Sequence, residues 1–282
     1  MKFFSRITIT GLLILFCNNA VSYNGNLDYV ICDIKRPLAG LTKKSITANN
    51  YKLILDGMKY KLQCNAIRTY IDLSIESPDN YPELYKEVYL YARQIGLKIY
   101  ANPLGTGRQG LSNQELVRLV VDYANHYRPE FLGPFNESGI KTNDTKEIAV
   151  MVRRLLQYRP ALVGPDAQKV EIMMNKINGP SDLEDYFDII GSHNAEQDEK
   201  STVSAWRALS QEARRQIWAS ENPRSWTEKN SLGEEIGVAS VVSPSVPVSG
   251  LVIYLAFPKN IGEDGNLTQK GQEIANGIGA RE

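Results

Sequence analysis

Two glutamates carry the strongest chemical signal in this chain. Glu137 follows Asn136 at the end of the apolar run Phe131-Leu132-Gly133-Pro134-Phe135, and Glu221 closes the run Ile217-Trp218-Ala219-Ser220. An apolar strand belongs in a core and a carboxylate does not, so two strands that both end in glutamate suggest one site built around a carboxyl pair. Breaking a glycosidic bond needs such a pair: one carboxylic acid protonates the leaving oxygen, and the other carboxylate attacks or activates water.

The elements that must position this pair repeat along the chain. Short apolar strands are expected at Tyr29–Ile34, Ala66–Ile71, Lys98–Asn102, Phe131–Asn136, Leu162–Asp166, Phe187–His193, Gln216–Glu221 and Leu251–Phe257. Their near-continuous hydrophobicity suits strands covered on both faces. Helical patterns alternate with them over Asn50–Leu62, Pro82–Ile95, Asn113–Tyr127, Asp144–Tyr158, Ala167–Ile177, Val203–Arg215 and Gln269–Ile278, with a weak one near Glu234–Val242. Ser112 followed by Glu115 predicts a capping box at the third of these. Strand starts recur about every 30 residues, the signature of βα units and a parallel sheet. Eight units predict a single α/β domain, a closed (β/α)₈ barrel over residues 23–282. An open doubly wound sheet would want a glycine-rich loop after the first strand, where this chain has Asp33-Ile34-Lys35-Arg36-Pro37.

In such a barrel the site lies at the C-terminal ends of the strands. The polar residues expected there are Asp33, Arg68, Tyr70, Asn102, Asn136, Glu137, Asp166, His193, Glu221 and Tyr254, with Trp226 on the loop after the seventh strand. Asn-Glu ending the fourth strand and Glu ending the seventh resemble the clan of retaining glycoside hydrolases with this fold, which includes cellulase, β-1,3-glucanase, xylanase and β-glucosidase families. The resemblance implies Glu137 as acid/base and Glu221 as nucleophile, with Asn136 on the sugar 2-hydroxyl and Arg68 supporting the nucleophile. Substrate contacts are then expected from His193, Tyr254, Trp226, Asp33 and Asn102. The chain departs from the clan in lacking a tryptophan on the eighth strand, where Tyr254, Phe257 or Trp226 are the available aromatics. It also has Asn136-Glu137-Ser138 in place of the usual Asn-Glu-Pro.

The expected activity is retaining cleavage of a β-glycosidic bond in a polysaccharide or oligosaccharide, and the short loops favour an open groove and internal cleavage. Transfer to a sugar acceptor by the same glutamates, or a barrel that binds carbohydrate without cleaving it, are the alternatives. No cofactor is expected. Only two histidines are present, in no metal-binding spacing, so no metal is expected either. No strand-6 lysine suggests a Schiff base, and no Gly-x-Ser-x-Gly turn suggests a serine esterase.

Residues 1–22 read as a cleavable leader, with Lys2 and Arg6, the apolar stretch Ile7–Phe16 and the small residues Ala20-Val21-Ser22. The expected location is therefore secreted or periplasmic. Cys17 raises lipidation, but Phe16 before it makes a poor lipoprotein signal. Without the leader, 30 basic and 32 acidic residues remain of the 32 and 32 in the whole chain. Near-neutrality gives no long-range attraction to nucleic acid or an anionic membrane. A monomer without stable membrane insertion is expected. Cys32 and Cys64 then remain. Placed on two adjacent strand lines they are offset by about five residues, roughly 16 Å, so two free buried thiols are expected.

Overall fold

A computed structural model of the chain describes residues 27–104, 110–136, 141–179, 182–194 and 199–279. Eight parallel strands run in the order β5-β4-β3-β2-β1-β8-β7-β6. They are β1 (Tyr29–Asp33), β2 (Ala66–Ile71), β3 (Lys98–Pro103), β4 (Phe131–Leu132), β5 (Ala161–Leu162), β6 (Ile189–His193), β7 (Gln216–Asn222) and β8 (Val248–Ile253). Bridges from Val163 to Ile189 and from Ala167 to Ser192 link the chain after β5 to β6 and complete the ring. The fold is a single (β/α)₈ barrel.

Helices lie between the strands: α1 (Lys35–Leu38) and α2 (Tyr51–Tyr60), α3 (Glu83–Gln94), α4 (Asn113–Tyr127), α5 (Thr142–Leu155), α6 (Val170–Ile177), α7 (Val203–Glu212), α8 (Val238–Val241), α9 (Ala256–Lys259) and α10 (Gln269–Gly279). The expected capping box starts α4: the Ser112 hydroxyl accepts from Glu115 N while the Glu115 carboxylate accepts from Ser112 N. Trp206 on α7 is fully buried, as a core residue should be.

Two cores result from strand alternation. Outward side chains pack under the helices. Inward ones form a separate cluster of Ile31, Ala66, Tyr100, Phe131, Val163, Ile189, Trp218 and Val252, one from each strand or its immediate extension. Trp218 fills the centre, with Phe131 edge-on at 4.8 Å and Tyr100 at 5.8 Å. Gly250 on the neighbouring strand makes room for it, since a Cβ there would lie 2.4 Å from the indole.

Several expectations are corrected. β4 and β5 are two-residue strands, because Gly133-Pro134 and Gly164-Pro165 interrupt the ladder where proline has no N–H to give. β8 starts at Val248 and stops at Ile253, and Leu255 turns left-handed (φ 49°) directly after Tyr254. Cys32 and Cys64 are disulfide-bonded, with Cα atoms 5.9 Å apart. The observed register pairs Cys32 with Ile67, an offset of three residues rather than five. Gln63 adopts a left-handed conformation (φ 59°), and Cys64 N bonds back to Met58 O of α2. Cys64 therefore sits off the line of β2, against the outer face of β1.

Candidate active site

On four strands the inward side chain two residues beyond the apolar cluster is polar and fully buried. Asp33 follows Ile31, Arg68 follows Ala66, Asn102 follows Tyr100 and Ser220 follows Trp218. Register explains the grouping: Asp33 lies beside Arg68 across β1 and β2, and His193 beside Glu221 across β6 and β7.

Arg68 ties one side together. Its Nη2 donates to Glu221 Oε2 at 2.6 Å and to Asp33 Oδ2 at 2.9 Å, and its Nη1 donates to the Ser220 carbonyl at 2.5 Å. Burial works against its charge, but Asp33 and Glu221 hold the guanidinium above its ordinary pKa. The Glu221 side chain keeps 15 % of its surface exposed. Burial alone would raise its carboxyl, yet the charge of Arg68, then those of His193 and Lys35, hold it down to about 2. Glu221 is a carboxylate fixed in its ionised form at the barrel mouth.

Across the mouth Asn136, only 5 % exposed, ends the extension of β4. Its Oδ1 accepts from Asn102 Nδ2 at 2.9 Å and from Lys35 Nζ at 3.0 Å. Glu137 lies outside the described residues.

A third group sits beneath Glu221. The Ser220 hydroxyl donates to Asp166 Oδ1, and His193 Nε2 stands 3.4 Å from the same oxygen. Burial raises the Asp166 carboxyl, but His193 by charge and hydrogen bond, then Ser220 and Arg68, bring it below its ordinary value. Asp166 takes a left-handed backbone (φ 54°), and Gly191 leaves the space above it, since a Cβ there would be 3.0 Å from both Asp166 Oδ1 and Ser220 Oγ.

The structure thus gathers Asp33, Arg68, Asn102, Asn136, Asp166, His193 and Glu221. Tyr254 stands at the rim, where burial and then the charge of Glu221 raise its hydroxyl pKa. Tyr70 lies beside Asn102 in the β2–β3 register, and its ring packs against Tyr85. Trp226 packs on α10, where a Cβ at Gly277 would fall 2.2 Å from its ring. Phe257 is fully buried in the outer core. His126, at the last turn of α4, is a surface residue 3.9 Å from Asp79.

Lys35 and Ser220 were not expected here. Ser220 was legible as the next inward position after Trp218, whereas Lys35 opens α1, after Ile34 has left the extended conformation (φ −122°, ψ 11°). Burial and the nearby charge of Arg68 lower the Lys35 pKa to about 8, against the pull of Glu221, Asp33 and Asp166. At the opposite end of the barrel a cleft of about 1150 Å³ opens beside Tyr29, Phe131 and Ile217. Asp188 and Arg214 on its lining are already paired with Arg153 and Glu184, and none of the gathered residues reaches it.

No family model matches the chain, and no curated protein matches it. Solved structures do. The mannohexaose complex of β-mannanase from Thermomonospora fusca is 13 % identical, with a TM-score of 0.63 over 90 % of this chain and 91 % of that one. The catalytic domain of an endoglucanase from Thermobifida fusca, a variant bound to cellotetraose, is 12 % identical with a TM-score of 0.59 over 90 % and 92 %. A glycoside hydrolase family 30 subfamily 8 xylanase from Clostridium acetobutylicum is 11 % identical with a TM-score of 0.58 over 90 % and 70 %. At these identities the likeness is one of fold.

Proposed function

We propose that this protein is a retaining glycoside hydrolase that cleaves β-linked polysaccharide or oligosaccharide. The observation that carries the reading is Glu221: a carboxylate held ionised by Arg68 at 2.6 Å, at the C-terminal end of β7 in a closed barrel. A nucleophile must be charged and partly accessible, and Glu221 is both. Asn136, across the mouth, offers its amide to the sugar 2-hydroxyl, and Glu137 beside it in sequence supplies the acid/base.

In the first step Glu137 gives its proton to the leaving oxygen while Glu221 attacks the anomeric carbon, forming a glycosyl ester. Esterification removes the negative charge of Glu221, so Glu137 is then the better base. It deprotonates water, which releases the sugar with its anomeric configuration retained. Tyr254 at the mouth contacts the substrate, while Asp33, Asn102, Asp166 and His193 hold the groups that do. The structural neighbours with bound tetra- and hexasaccharides support an open groove and internal cleavage. The buried disulfide suits an oxidising compartment and, with the leader-like residues 1–22, a secreted or periplasmic protein acting as a monomer.

The test is a panel of β-linked gluco-, manno-, xylo- and galacto-polysaccharides and their 4-nitrophenyl disaccharides, assayed for release beside Glu221→Gln and Glu137→Gln. The expected result is hydrolysis of at least one member, lost in both variants, with retained configuration by NMR. Unchanged hydrolysis in either variant refutes the assignment.

A further inference from the structure

A side-chain amide has two ends of the same shape and opposite polarity, so only a neighbour of fixed polarity decides which end faces it. The two amides of this site, Asn136 and Asn102, face each other within 2.9 Å. Alone, that pair is satisfied equally well with both amides flipped. A third group breaks the tie. Lys35 Nζ lies 3.0 Å from the same Asn136 atom, and an ammonium donates but never accepts. The atom facing it must therefore be Oδ1. The Asn102 atom facing that oxygen must then be Nδ2, and the remaining end of Asn136, its Nδ2–H pair, is left to donate.

We infer that Lys35 is a positioning residue that sets the polarity of the Asn136 and Asn102 amides, so that Asn136 presents a donor to the hydroxyl next to the reacting carbon. The inference rests on the reading of Asn136 given under Proposed function. The burial of Lys35 argues for such a duty. The side chain is 3 % exposed, and placing a charge there costs free energy that a leucine or methionine would not. Among the described residues the ammonium's one hydrogen bond goes to Asn136, and only the Lys35 backbone N–H meets Asp33. An ammonium recruited only to balance those carboxylates would pair with one of them.

A site that donates to a substrate hydroxyl rejects an analogue lacking it, because the buried donor is left unpaired. The experiment compares two substrates: the 4-nitrophenyl β-disaccharide hydrolysed fastest in the panel above, and its counterpart without the 2-hydroxyl on the reacting ring. The wild-type protein should lose at least roughly 10²-fold in kcat/KM on that deletion. Lys35→Met frees the amides to flip and should lose less than about 10-fold, with the difference residing in the hydroxylated substrate. Lys35→Gln, which keeps a donor without the charge, should fall between them and serves if the methionine variant does not fold. Wild-type discrimination in the folded variants would overturn the role of Lys35 while leaving the hydrolase reading intact. A wild-type protein that hydrolyses the substrate without discriminating would remove the role of Asn136, and the inference with it. A wild-type protein that hydrolyses nothing in the panel would remove the hydrolase reading itself.

Discussion

The barrel interior has two levels about 7 Å apart, one pleat along the same strands. The lower level is Ile31, Ala66, Tyr100, Phe131, Val163, Ile189, Trp218 and Val252. Every member is apolar or aromatic, and stability there comes from filled volume. The upper level is Asp33, Arg68, Asn102 and Ser220, joined by Lys35, Asp166 and Glu221. It is nearly as buried, yet it is a network of charges and amides. Paired charges taken out of water contribute little net stability, and apolar replacements often do as well. Two residues of strand length therefore separate positions chosen for packing from positions held for chemistry. The upper level is tolerable because its charges meet partners there: Asp33 on the neighbouring strand and Glu221, from beyond β1 and β8, both reach Arg68.

If that division is right, substitutions at the two levels should fail in different ways. The largest effect on rate is expected at Glu221. Glu221→Gln keeps the shape and one acceptor for Arg68, and Asp33 still balances the guanidinium, so losing the ion pair should cost about 1–3 kcal/mol near neutrality and little at acid pH. Hydrolysis should fall by on the order of 10⁴-fold or more, the scale seen when a reacting group is removed. A variant that is already unfolding at the assay temperature would move Glu221 to the structural side.

Arg68→Met should damage both properties, since it strands two carboxylates that now share one cation. Removing one partner of a buried pair costs about 3–5 kcal/mol. The pH dependence sharpens the point. Glu221 is held to about 2 in the folded protein against an ordinary 4.5, so its stabilisation is present above about pH 4.5. It is lost as the pH falls from there toward 2. In the variant the acid limb of activity should move up toward the ordinary carboxylate range. An unmoved limb would show that Arg68 does not set the charge of Glu221.

Trp218→Ala addresses the lower level. Emptying a central aromatic site costs about 3–5 kcal/mol, roughly 10 °C of melting temperature for a domain of this size. Below the transition, kcat should drop less than about 10-fold. A loss near that of Glu221→Gln would erase the distinction between the levels. Replacing Cys32 and Cys64 by serine tests a brace outside both. The bridge spans a sequence separation of 32, and closing such a loop contributes roughly 3–4 kcal/mol in the chain-entropy model. The melting temperature should fall to match, with the pH profile unchanged.

Much of this division was legible from residue order. Strand spacing defined the barrel, and strand ends placed Glu221, Arg68, Asp33 and Asn136 at one mouth. What stayed hidden depended on direction in space. Trp226 and Phe257 have the right type and place in sequence, but α10 and the outer core claim them. The cysteine pair needed the true register and the left-handed turn at Gln63. Lys35 was passed over because a lysine after a strand reads as the start of solvent, whereas here it opens α1 and its ammonium turns in to Asn136.

Ser220 offers the finest test, because it belongs to the upper level without facing the substrate. Its hydroxyl donates to Asp166 and its carbonyl receives Arg68. Ser220→Ala removes only the first contact, so Arg68 and Glu221 keep their geometry and kcat/KM should fall no more than about fivefold. Stability should drop by about 1–2 kcal/mol, the cost of a buried acceptor losing a donor. The drop should also depend on pH in a set direction. Ser220 helps hold the Asp166 carboxyl below its ordinary value, so its contribution is present above about pH 4 and fades as Asp166 becomes protonated. The gap in melting temperature between the two proteins should be widest near neutrality and narrow below about pH 4. A gap independent of pH would mean that Ser220 acts by packing alone, and that the apolar logic of the lower level extends one pleat further up β7.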